Sequence, residues 1–92
     1  MSRLDEYRGE IAEIDEEIIS LVGKRNAVAR KIGREKHELG MPVQAPDIEK
    51  IVENRYRKAA ENHGVSRETA SVIARAVIDE AVEVQHETPS NQ

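Results

Sequence analysis

Apolar residues recur along the first part of the chain with a seven-residue rhythm. One series of positions reads Leu4, Ile11, Ile18, Arg25, Ile32, and its partner series reads Tyr7, Ile14, Leu21, Val28, Glu35. Such spacing lays one apolar stripe along a helix and turns that stripe toward other helices. It predicts a single helix from about Ser2 to Leu39, with Ser2 as N-cap and Gly40 as the C-terminal stop. Two shorter amphipathic stretches follow. The first opens at Pro46, with Asp47 and Glu49 suited to its electropositive end, and carries Ile48, Ile51, Val52, Tyr56 and Ala59 as far as His63-Gly64. The second begins after a capping Ser66 and carries Val72, Ile73, Ala76, Val77, Ile78, Ala81 and Val84. No strand period and no internal repeat is present. The expected fold is all-α: a three-helix chain with one very long N-terminal helix, a single domain over residues 1–87 and a disordered tail over 88–92.

The proportions of these helices carry a consequence. A first helix of this length extends ~50 Å, and two helices of roughly half its length cannot cover it. Gly9, Gly23 and Gly33 each weaken it by up to ~1 kcal/mol relative to alanine, so packing must hold it together. Much of the apolar stripe would stay wet in a lone chain, and a large exposed stripe marks an interface. An intertwined homodimeric helical bundle, with the long helices packed together, is the expected solution.

Composition narrows the function classes. In 92 residues there are two Tyr, no Phe, no Trp and no Cys, so the core must come from Ile, Val, Leu and Ala. Without cysteine there are no disulfides, no thiolate chemistry and no zinc–thiolate sites. A net charge of −4 argues against a general nucleic-acid binder but leaves room for a small anion held by a few local cations. No apolar run approaches membrane-spanning length and no signal-peptide core is present, so a cytoplasmic location is expected.

The candidate chemistry begins with Arg25, a cation in a slot of the apolar stripe. A buried unpaired charge costs several kcal/mol, so Arg25 must meet an anion or a polar partner; such a residue can also simply fix helix register. Lys36 lies eleven residues on at nearly the same azimuth, ~16 Å along the axis, although a lysine at a helix C-terminus also complements the dipole. Arg8 sits beside the same seam but ~42 Å from Lys36. Arg8 and Lys36 of one chain cannot touch the same small molecule, whereas in an antiparallel dimer Arg8 of one copy can approach Arg25 and Lys36 of the other. Gln85 follows Ala74, Ile78 and Ala81 along one side of the third helix and is placed to face inward. His37, His63 and His86 are scattered without metal-ligand spacing, and Ser20, Ser66 and Ser71 have no identifiable base. No metal and no cofactor is expected. Cations and an amide within a helical bundle suit a dianionic substrate whose reaction needs shaping and charge stabilisation, with no nucleophile.

The stretch from Tyr7 to Lys36, together with Pro42-Val43, Glu49 and Gln85, resembles the all-helical chorismate mutases. The matching features are Arg8, Ile14-Asp15, the L-x-x-K/R-R ending in Arg25 and the I-G-x-x-K ending in Lys36. The resemblance covers about Leu4 to Gln85 with no insertion or deletion. It implies an isomerase that rearranges chorismate to prephenate, on the route to phenylalanine and tyrosine. Residue by residue, it implies that Arg25 pairs with one substrate carboxylate and Arg8 of the other subunit with the second. Lys36 would contact the ether oxygen and a carboxylate, Gln85 would donate to the same ether oxygen, and Glu49 would accept from the ring hydroxyl. Three further substrate-binding positions depart from the family's usual residues: Ala45 for an aspartate, Ile48 for an arginine and Ala81 for a serine. Loss of that serine removes one hydrogen bond, worth ~1–2 kcal/mol. The rival readings are an isochorismate–pyruvate lyase of the same fold, disfavoured by the carboxylate at Glu49, and a non-catalytic helical bundle.

Overall fold

The computed structural model describes residues 2–87 and contains α1 (Arg3–Leu39), α2 (Pro46–His63) and α3 (Arg67–Glu87). The residues expected to form a disordered tail, 88–92, lie outside the described range. Each boundary has a local cause. Ser2 stands in extended conformation and its hydroxyl accepts from the Asp5 amide at 3.4 Å. Gly40 ends α1 at φ 67°, the left-handed region where a side chain is strained, and its neighbour Met41 donates back to the Lys36 carbonyl at 2.8 Å. Gly64 repeats the device at φ 68° after α2. Pro46 starts α2 at a position where its missing N–H costs nothing, and the Ser66 hydroxyl accepts from the Thr69 amide at 3.1 Å before α3.

The helices are not equal partners. α3 packs against both α1 and α2, while among the described residues α1 and α2 do not pack on one another. Arg25 reaches Val77 and Gly33 meets Gln85, pairs separated by the same stretch on both helices, so α1 and α3 run parallel and in step. Glu49 lies beside Arg75, and Ala60 shares an apolar hollow with Ala70, so α2 runs antiparallel to α3. The two outer helices therefore lean on α3 with a gap between them. That gap is the cleft described below.

Burial follows this arrangement. α3 contributes Ala70, Ala74, Val77, Ile78, Val84 and Gln85 to the interior, α2 contributes Val52 and Ala60, and α1 only Ala29 and Gly33. Small side chains dominate because the helices approach closely. Several positions expected on apolar faces remain exposed in the single chain: Ile48, Ile51, Val72 and Ile73. Ile48 and Ile73 border open hollows between helices, the first facing α1 and the second α2. Leu4, Tyr7, Ile11, Ile14, Ile18 and Leu21 on α1 are each at least half exposed as well. The radius of gyration is 16.5 Å, against about 12 Å for a compact domain of this length. The excess comes from α1, which runs the length of a molecule 57 Å long and projects its first half beyond α2 and α3.

Candidate active site

The gap between α1 and α2, floored by α3, is a cleft of about 490 Å³, large enough for a small organic molecule. Its walls are largely aliphatic: Val28, Ala29 and Ile32 from α1, Ile48 and Val52 from α2, Ile78 and Val82 from α3. Into this apolar frame project Arg25, Lys36, Arg55 and Gln85. Among the described residues that line the cleft there is no carboxylate and no serine or threonine hydroxyl.

Each polar group has a structural reason for its place. The Arg25 guanidinium is half-buried and donates through Nη1 to the Val77 carbonyl at 3.1 Å. That bond spends one of five donors and leaves the rest of the planar fork for another acceptor. The Lys36 ammonium donates to the Val43 carbonyl at 2.7 Å, tying the end of α1 to the α1–α2 loop with two N–H donors to spare. Gln85 is 7% exposed, and its Oε1 is buried with no hydrogen-bond partner. A buried acceptor without a partner costs about 1–3 kcal/mol; the two N–H donors of the same side chain are on its amide nitrogen.

Gly33 explains how Gln85 gets there. A Cβ on Gly33 would lie 2.9 Å from the Gln85 Cα, 3.0 Å from its carbonyl oxygen and 3.1 Å from its Cβ. Backbone meets backbone at this point, and only glycine lets α3 come so close to α1. The closeness puts Gln85 on the cleft floor within three residues of Lys36 along the parallel register.

The residues singled out in the sequence divide into two groups. Arg25, Lys36, Ile48, Ala81 and Gln85 come together around one cleft. Ala45, Glu49 and Arg8 are not part of its lining. Ala45 is the half-buried N-cap of α2 and supplies its carbonyl to the Glu49 amide at 3.0 Å. The Glu49 carboxylate turns toward α3, where Arg75 donates to its Oε1 at 3.1 Å. Arg75 also meets Asp79 at 3.1 Å and Glu53 at 3.7 Å, and its guanidinium is held above its ordinary range chiefly by the bond to Glu49. Arg8 lies on the exposed half of α1, seventeen residues and ~25 Å before Arg25. Sequence reasoning missed Arg55. Its signal was present: it stands one turn after Val52 and two after Ile48, a cation in the apolar stripe of α2, as Arg25 is in that of α1.

Among known proteins, the sequence profile described as chorismate mutase type II matches residues 7–86. The chain belongs to that family. It is 33% identical over 79 residues to the chorismate mutase of Methanocaldococcus jannaschii, a match covering 86% of this chain and 80% of that protein. It is 32% identical over 81 residues to the T-protein of Haemophilus influenzae, covering 88% of this chain but 22% of the relative. A conserved hypothetical protein from Pyrococcus furiosus has the same fold, with a TM-score of 0.71 and 33% identity over 92% of this chain and 97% of that one. Membership of the chorismate mutase family makes the chain an isomerase acting on chorismate. Three helices without a strand among the described residues agree with the all-α expectation.

Proposed function

We propose that the cleft converts chorismate to prephenate and that each working site is completed by a second copy of the chain. The observation that carries this reading is the convergence of Arg25, Lys36 and Gln85 on one aliphatic cleft with no nucleophile in its lining. The rearrangement breaks a C–O bond and forms a C–C bond within one molecule, so no protein atom need bond to the substrate. Binding in a folded conformer removes much of the entropic barrier. The Arg25 fork pairs with one carboxylate. As the C–O bond lengthens, negative charge grows on the ether oxygen, and the Lys36 ammonium and Gln85 amide meet it with fixed donors. One such donor contributes about 3–4 kcal/mol of transition-state stabilisation.

The second carboxylate falls to Arg8 of the other copy. Within one chain Arg8 is too far from the cleft, and the exposed stripe from Leu4 to Leu21 is the kind of surface a second long helix covers. Glu49, bonded through Oε1 to Arg75 at the edge of the site, is proposed to swing its carboxylate to the ring hydroxyl when substrate binds. Ala45, Ile48 and Ala81 contribute backbone and apolar contact. No helix among the described residues is long and apolar enough to cross a membrane, and the enzyme is proposed to work in the cytoplasm without a cofactor.

The test follows the ultraviolet absorbance of chorismate with purified protein and converts any prephenate to phenylpyruvate with acid. Substrate loss with matching phenylpyruvate is expected. No turnover by the folded protein, or pyruvate release from isochorismate in its place, would overturn the mutase reading.

A further inference from the structure

Arg55 is the cleft-lining cation that the roles above leave unused. It projects from α2 at the open face of the cleft and makes no hydrogen bond or ion pair with any described residue. The other two cations of the cleft lining differ: Arg25 is bonded to the Val77 carbonyl and Lys36 to the Val43 carbonyl. In a lining that also holds Arg25 and Lys36 and no carboxylate, the free Arg55 guanidinium is open to an anion.

Its place along the cleft follows from helix directions. α1 and α3 run parallel with Arg25 level with Val77, and α2 runs antiparallel to α3, with Glu49 beside Arg75 and Ala60 beside Ala70. Going along α2 from Ile48 to Arg55 therefore moves away from the Lys36 and Gln85 end, by ~10 Å, toward the Arg25 end. Arg25 and Arg55 face that end from opposite walls.

We propose that Arg55 is a substrate-binding residue that shares with Arg25 the carboxylate at this end of the cleft. This inference rests on the mutase reading. The carboxylate is present in both the substrate and the transition state, so Arg55 contributes binding common to both and acts mainly on KM.

The test compares steady-state kinetics on chorismate for the wild-type chain, Arg55→Ala, Arg55→Lys and, as a control, Lys58→Ala, an exposed α2 cation outside the cleft lining. Arg55→Ala is expected to raise KM about tenfold, the usual scale of one charge-assisted hydrogen-bonded contact, with kcat changed less than about threefold. Arg55→Lys should fall between, because the charge stays and the planar fork is lost. Lys58→Ala should match wild type. Unchanged KM in folded Arg55→Ala, or an equal rise in Lys58→Ala, would overturn the proposal while leaving the mutase reading standing. An inactive wild type would overturn the mutase reading, and this one with it.

Discussion

The two halves of α1 share one heptad pattern and have opposite surroundings. From Arg25 to Lys36 the helix lies on α3, buries Ala29 and Gly33, and turns its stripe into a cleft. From Leu4 to Leu21 the same stripe contributes no buried residue, and each of its large apolar residues is at least half exposed. A periodic pattern states that a helix face will be covered, without stating by what. Here the partner of one half is a helix of the same chain, and the partner of the other is assigned to a second copy.

This contrast can be broken at either half. The largest effect is expected in the packed half: Lys36→Ala should lower kcat by about 10²–10³-fold, the loss typical of one preorganised donor. Circular dichroism and sedimentation should stay unchanged, and near-normal kcat/KM would remove Lys36 from the mechanism. In the exposed half, Ile14→Glu should act through assembly. Burying an isoleucine stabilises by about 1.5–3 kcal/mol, and two-fold symmetry applies that loss twice in a dimer. Sedimentation should show a smaller species, with activity that falls on dilution; an unchanged oligomeric state would contradict the assignment of this stripe. Smaller still, Gly33→Ala must push α3 off α1, because the added Cβ would lie 2.9 Å from the Gln85 Cα, at about 1–3 kcal/mol of overpacking strain. Its kcat should fall while KM moves less, since the displaced group is the Gln85 donor. In a Gln85→Ala background the same change should lower kcat little further. Additive losses would mean that Gly33 acts on stability alone.

How far the chain could be read in advance differs by level. The caps at Ser2 and Ser66 and the stops at Gly40 and Gly64 were legible because they are settled within one turn of backbone. The inward face of Gln85 was legible from Ala74, Ile78 and Ala81, since they share one side of a helix. What could not be read depends on side-by-side register. Nothing local indicates that Glu49 turns to Arg75, that Val52 is buried while Ile51 is not, or that Gly33 rests on Gln85. Glycine at position 33 looked like a weakness of the helix and is the point of its closest approach to α3. Arg55 was overlooked because a cation on a short outer helix looks like an ordinary solvated charge until α1 is placed opposite.

The central claim is that one site is built from Arg25 of one copy and Arg8 of the other, and co-expression of two defective chains tests it most directly. Arg8→Ala and Arg25→Ala homodimers should each be nearly inactive. A hybrid dimer has one site lacking both arginines and one site with both. Random pairing should therefore restore roughly a quarter of wild-type activity. A co-expressed mixture no more active than its parents, with hybrid dimers shown to be present, would contradict a site shared between subunits.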